Sequence, residues 1–144
     1  MSGEHAEVVI PATPDEVRGV LLDPLALPAW NPAFYTVSGP TQAAIGVQYR
    51  IRVRPGLTGV AEYTTITPNR IGLAWNVPGF REVGSWTFEP RGAGTFARHE
   101  FQQSGPLATA LRPAHRGVAG LRMERLAQYL LLTPLHPVVR PEDR

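Results

Sequence analysis

The spacing of hydrophobic positions changes character twice along this chain. Residues 4–10 end in Val8, Val9 and Ile10 and predict a first strand. Over residues 14–30 the period becomes helical, with Val17, Val20 and Leu21 on one face and a second short helical stretch reaching Trp30-Asn31-Pro32. Thr13 predicts the N-cap of the first helix, Pro14 suits its first position, and Glu16 completes a capping box. From residue 33 onward the period is two. Val47, Tyr49, Ile51 and Val53 alternate with Arg50, Arg52 and Arg54, and the run stops at Pro55-Gly56. Similar runs over 33–38, 57–67, 70–77, 81–89 and 94–103 end at turn residues such as Gly39-Pro40, Pro68-Asn69, Pro78-Gly79, Pro90 and Gly105-Pro106. With the first strand that makes seven, at spacings typical of an antiparallel meander.

The last third is helical again, from Leu107 to Leu132, and is interrupted by Pro113. Proline is tolerated in a first turn but not inside a helix. The pattern therefore predicts a short turn to Leu111 and then a helix that starts or kinks near Pro113 and ends at Leu132. Residues 133–144 carry Pro134, Pro137 and Pro141 and read as an extended tail after one domain over 1–132. Strand, two short helices, six strands and a long helix make an α+β layout, a curved antiparallel sheet gripping its last helix. A bent sheet folded around one helix leaves space between them, so a cavity is expected there.

Composition narrows the classes. The chain has 144 residues, enough for one domain with a core, and its 43% hydrophobic and 18% charged content excludes a disordered protein. No apolar run approaches the roughly 18 residues that would span a membrane, and no basic-then-apolar leader opens the chain. A cytoplasmic protein without membrane insertion is the expectation. Without cysteine, thiol nucleophiles and thiolate metal sites are ruled out. The net charge is +2, and every basic residue is arginine rather than lysine. Arg50, Arg52 and Arg54 read as a solvated outer face, so no nucleic-acid partner is expected. The histidines at 5, 99, 115 and 136 have no metal-ligand spacing, and no phosphate loop, dinucleotide fingerprint or serine elbow occurs. No cofactor or metal is expected.

The order of elements, together with several short motifs, resembles the START, pollen-allergen and polyketide-cyclase superfamily (SRPBCC). The carriers are residues 10–17, Asp23-Pro24 through Trp30-Asn31-Pro32, residues 84–90, Gly92-Ala93-Gly94-Thr95 and Gly105-Pro106-Leu107. They cover roughly residues 4–131, and polyketide cyclase/dehydrase proteins are the most similar in style. The resemblance implies a helix-grip fold around an apolar cavity. It also implies either a cofactor-independent cyclase/dehydrase-like enzyme acting on a hydrophobic oxygenated metabolite, or a carrier or sensor of a lipid, quinone or similar ligand. In the aromatic-polyketide cyclases an arginine on the strand matching 57–67 contacts substrate; here Ile66 stands in that place.

Strand alternation then selects candidate residues. Ala97, His99, Phe101 and Gln103 share one side of their strand, opposite Arg98, Glu100 and Gln102, which turns His99 toward the cavity. There it is either an acid/base for enolisation, dehydration or aldol closure, or a buried histidine satisfied by a backbone carbonyl. Glu62 lies in the cavity, as a base or a partner orienting His99, if Val60, Glu62, Thr64 and Ile66 face inward. If Ala61, Tyr63, Thr65 and Thr67 do so, it is a surface charge. On the last helix Arg122 shares a side with Leu107, Leu111, Val118 and Tyr129, and with His115. It could hold a carboxylate, phosphate or enolate oxygen of a ligand, unless a kink at Pro113 turns it to solvent. Tyr49, Trp75, Trp86 and Phe88 are candidate cavity walls, and Trp30 a candidate cover for the mouth. Whether the chain is a monomer or a homodimer is left open.

Overall fold

Alternation along the strands builds the two faces of one sheet. In the computed structural model, which describes residues 2–54, 56–111 and 116–132, the seven strands are β1 (Ser2–Ile10), β2 (Phe34–Ser38), β3 (Tyr49–Val53), β4 (Leu57–Ile66), β5 (Arg70–Val77), β6 (Phe80–Arg91) and β7 (Gly94–Ser104). They pair in the order β1-β7-β6-β5-β4-β3-β2, every neighbour antiparallel. On β3, Tyr49, Ile51 and Val53 are buried while Arg50 and Arg52 are exposed, as their alternation requires. The buried face of the sheet wraps around the helices α1 (Pro14–Leu21), α2 (Leu27–Trp30), α3 (Pro106–Leu111) and α4 (Val118–Leu132). This is the helix-grip architecture: a curved seven-stranded antiparallel sheet, a long C-terminal helix, and short helices between the first two strands.

The first helix forms where its caps say it should. Thr13 N–H donates to Glu16 Oε1 at 2.8 Å and Glu16 N–H donates to Thr13 Oγ1 at 3.2 Å, the reciprocal capping box. Val17, Val20 and Leu21 are buried against the sheet, and Tyr63 on β4 donates its hydroxyl hydrogen to Leu21 O at 2.8 Å. Trp30 is not a cover at a cavity mouth. It is 1% exposed and meets Trp86 edge to face, deep in the core.

The short turn expected up to Leu111 is the helix α3, several strand ends shift by one or two residues, and two further boundaries differ for a reason visible in the fold. Strand β6 runs through Pro90 to Arg91, whereas Pro90 was expected to end it. The ladder to β5 stops at Thr87, so Pro90 lies where β6 has only β7 beside it, a place where a missing N–H is tolerated. Helix α4 begins at Val118 rather than near Pro113. Pro113 and His115 lie outside the described residues, as does the tail 133–144. The start of α4 is set by Gly117, in the left-handed region at φ 84°, and by Glu4 on β1. The Glu4 carboxylate accepts from Gly117 N–H at 2.8 Å and from Ala119 N–H at 2.6 Å.

Glu4 is therefore a helix cap supplied from the other end of the chain, and it fastens α4 to the edge strand β1. Replacing it by alanine is expected to lower stability by about 1–2 kcal/mol, the usual value of an N-cap carboxylate. Urea unfolding would read this as a lower midpoint with an unchanged slope. A midpoint equal to that of the parent chain would show that the cap carries nothing.

Candidate functional site

Strand β6 carries a carboxylate in the wrong phase for a surface charge. Phe80, Glu82, Trp86 and Phe88 are all buried, while Arg81, Val83 and Glu89 in the opposite phase are exposed. Glu82 is 3% exposed. In the sheet register it stands between Trp75 on β5 and Gln103 on β7, so three strands present one row of side chains to α4. Trp75 Nε1 donates to Glu82 Oε2 at 3.1 Å, and Gln103 Nε2 donates to Oε1 at 3.0 Å.

Arg122 closes this row from the helix side. Its Nη1 donates to Glu82 Oε2 at 2.7 Å and its Nη2 to Oε1 at 2.9 Å, a two-pronged ion pair with both partners buried. The cavity-facing alternative for Arg122 is thus the one realised, although its charge is spent on a protein carboxylate. Its guanidinium also lies over the Phe101 ring, 4.7 Å from the centroid. Gly84, opposite Phe101 in the register, keeps this corner open; a Cβ there would sit 3.0 Å from Phe101 Cβ.

His99 completes the cluster, and its hydrogen bonds fix its tautomer. Arg122 Nη1 lies 3.3 Å from His99 Nε2, and because arginine has no acceptor, Nε2 must supply the lone pair. The proton is then on Nδ1, which donates to Ser85 O at 3.0 Å. The ring is fully buried and stacks on Trp86, with centroids 4.2 Å apart and planes 7° apart. Burial and the neighbouring Arg122 charge push its pKa down to about 4, against smaller opposing effects of the Ser85 carbonyl and Glu82. For Glu82, burial pushes the carboxyl up, but the Arg122 charge and the hydrogen bonds from Arg122 and Gln103 outweigh it and hold the carboxyl below its ordinary value. Both groups therefore sit in one charge state at neutral pH: carboxylate and neutral imidazole.

The other candidates are dispersed. Glu62 is half-buried on the outward phase of β4, while Ala61 and Tyr63 face the core, so the base or orienting role considered for it does not fit. It also stands three strands away from His99 in the sheet order, about 14 Å at the usual strand spacing. The carboxylate beside His99 is Glu82, which sequence reasoning missed. Tyr49 is buried and donates its hydroxyl to Pro40 O at 2.7 Å, and Phe88 packs in the core. Among the described residues, no group of acidic and histidine side chains could hold a metal ion.

A cleft of about 250 Å³ opens beside the cluster, between the sheet and the last helices. Val53, Leu57, Trp75, Val77 and Phe80 line its sheet side; Leu107, Leu111, Val118 and Leu121 line its helix side. Arg122 and Gln103 border it, whereas Glu82, His99 and Trp86 do not. Of the aromatic residues chosen as cavity walls, only Trp75 has that position.

The cluster makes a specific pH dependence. The unfolded chain's histidine takes a proton near pH 6.5, the folded one only near 4. As the pH falls from 6.5 to 4 the unfolded state binds the extra proton, so stability should drop by about 3 kcal/mol over that window, with no further histidine contribution below it. Glu82, held below its ordinary value, adds to the loss as the pH falls below 4.5. Urea unfolding at intervals from pH 7.5 to 4 checks this, and His99→Phe should flatten the upper part of the curve. A parent chain equally stable at pH 7 and 5 would contradict it.

The same architecture recurs widely among solved structures. A Mesorhizobium loti protein superposes with a TM-score of 0.73 at 22% identity, over 93% of this chain and 100% of that one. A Thermus thermophilus protein gives 0.70 at 19% identity, over 92% of this chain and 99% of that one. DynU16, a protein in the dynemicin biosynthetic locus, gives 0.67 at 21% identity, over 91% of this chain and 48% of that longer one. At such identities these likenesses establish the fold alone. No curated protein matches the chain in sequence. The family model described as polyketide cyclase / dehydrase and lipid transport does match, over residues 5–131. With nearly the whole chain covered, the protein belongs to that SRPBCC-type family.

Proposed function

We propose that the chain binds an apolar small molecule in the cleft between the sheet and α3–α4, as a carrier or sensor that performs no acid/base chemistry through His99. One observation carries this reading: the hydrogen-bonding capacity of His99 and Glu82 is taken up within the cluster, and the cleft beside it is lined mainly by hydrocarbon. A general base needs an available lone pair within reach of the substrate proton. The Nε2 lone pair of His99 is taken by Arg122, its Nδ1 hydrogen by Ser85, and its ring does not border the cleft. With a pKa near 4, the imidazole is also a poor proton acceptor at neutral pH.

The family description spans both cyclase/dehydrase chemistry and lipid transport, and this geometry supports the binding side of it. Ile66, in the place where the aromatic-polyketide cyclases present an arginine, points the same way. An apolar cavity of about 150 Å³ admits benzene, so a cleft of about 250 Å³ suits a molecule of one or two rings or a short branched chain. The likeness to a protein of a biosynthetic locus supports a metabolite as the natural occupant.

The test uses 1-aminonaphthalene, a two-ring probe whose emission moves to the blue in apolar surroundings. Binding is expected in the parent chain, with recovery of the unmodified probe after long incubation. Leu107→Trp, which fills the helix side of the cleft, should weaken it by about 10-fold or more. Glu62→Gln, on the outward phase of β4, leaves the lining intact and should bind within about two-fold of the parent. Binding that ignores the tryptophan at 107 would sink the assignment of the cleft.

A further inference from the structure

Two arginines stand unbalanced at the rim of the cleft. Strand β3 ends at Val53, and Arg54 follows it in the turn to β4. Val53 and Arg54 line the apolar cleft, and the same two residues line a second, more open hollow together with Tyr35, Arg52 and Gly56. The two spaces therefore meet at Val53 and Arg54. A bulge in β2 shapes the hollow. Phe34 pairs with Val53 and Thr36 with Arg52, so Tyr35 is the extra residue; its side chain turns to solvent while Phe34 stays in the core. The Arg54 guanidinium lies over the Tyr35 ring, 5.3 Å from the centroid, which keeps that charge at the hollow. Arg52 is exposed two residues earlier, roughly 7 Å back along the strand.

Resting on the reading of the cleft as a ligand site, we propose that its occupant is an anionic amphiphile: the apolar body fills the cleft, and a carboxylate stays at the rim between Arg52 and Arg54. Charge decides the class. Neither lining contains an aspartate or glutamate, and among the described residues neither arginine has an acidic partner. Arg122, the remaining arginine of the cleft, is neutralised by Glu82 in the core. The rim therefore carries two uncompensated positive charges beside a hydrocarbon wall. A carboxylate there accepts hydrogen bonds from forked guanidinium donors, and because Arg52 and Arg54 are exposed it keeps much of its hydration. A cationic head would be repelled, and a neutral one would leave both charges unmet. A cleft of about 250 Å³ limits the body to one or two rings or a short branched chain. The ligand class is a compact aryl or branched-chain carboxylate rather than a two-chain lipid.

Three probes with one naphthyl body and different head charges test this by calorimetric titration of the full chain: 1-naphthylacetate, 1-naphthylacetamide and 2-(1-naphthyl)ethylamine. In low salt the acetate is expected to bind about 5-fold or more tightly than the amide, each exposed arginine being worth at most about a factor of 5. The amine should bind most weakly. Raising the salt to about 0.5 M should shrink the preference for the acetate to under about two-fold, as screening of exposed charges requires. The double variant Arg52→Gln with Arg54→Gln changes only exposed side chains; it should abolish the preference and leave amide binding within about two-fold of the parent. Arg50→Gln removes one charge from the same outward face but lines neither space, and should keep the preference. Leu107→Trp should weaken acetate and amide alike. Equal or reversed affinities of acetate and amide would overturn the rim site and leave the container intact. So would a preference that survives the double substitution or disappears in Arg50→Gln. Acetate binding unmoved by Leu107→Trp would place the anion outside the cleft and overturn the amphiphile. No binding by any of the three would overturn the container reading and this inference with it.

Discussion

A carboxylate and a guanidinium buried between sheet and helix set the terms for the rest of this fold. Glu82 on β6 and Arg122 on α4 face each other through two hydrogen bonds, with both side chains almost without solvent contact. Such a pair is not a strong source of net stability, because taking two charges out of water offsets most of their attraction. Its consequence is specificity. Either charge alone in this interior would cost about 3–5 kcal/mol, so α4 is disfavoured in any rotation or register that parts Arg122 from Glu82. Trp75, Gln103 and His99 then supply the remaining donors and acceptors that the pair requires. Glu4 performs the matching task at the helix start, where its carboxylate caps α4 from the edge strand. The helix is thus held at two polar points on an otherwise apolar sheet face.

This fixing of the helix also shapes the cleft. With α4 anchored at Glu4 and at Glu82, the space that the curved sheet leaves over lies between α3–α4 and the ends of β3, β5 and β6. The polar groups sit behind one wall of that space and present little more than Arg122 and Gln103 to it. A family whose members share a container can in this way keep the fold and change what the container does. Here the histidine that could have served chemistry is used to hold an arginine.

Much of the fold was legible in local patterns. The alternation of Tyr49, Ile51 and Val53 with arginines, the capping box at Thr13 and Glu16, and the proline-glycine turns each reflect short-range physics that sequence spacing records directly. His99 was legible for the same reason, since Arg98, Glu100 and Gln102 leave its side of β7 to the interior. Glu82 was not, because a carboxylate is read as a surface residue until its phase with Phe80, Trp86 and Phe88 is taken as the stronger signal. Its partner lies 40 residues away on another element, so no local window contains the pair. The start of α4 was misplaced on similar grounds: proline chemistry is local, but the Glu4 cap that sets the helix start comes from 113 residues away. Glu62 had two possible faces, and only the register of β4 with its neighbours separates them.

The central claim is that the cluster is closed: His99 is a neutral, Nδ1-protonated ring whose second nitrogen accepts from Arg122. Nitrogen-15 NMR of the imidazole reports this directly, since protonated and bare ring nitrogens resonate far apart. The expected spectrum has a protonated Nδ1 and a hydrogen-bonded, unprotonated Nε2, unchanged between pH 7.5 and 6 and unchanged when the cleft is filled. A ring that titrates near pH 6.5, or that carries its proton on Nε2, would mean that the histidine is open to solvent or substrate. The account of the cluster as a closed structural clasp would then be wrong.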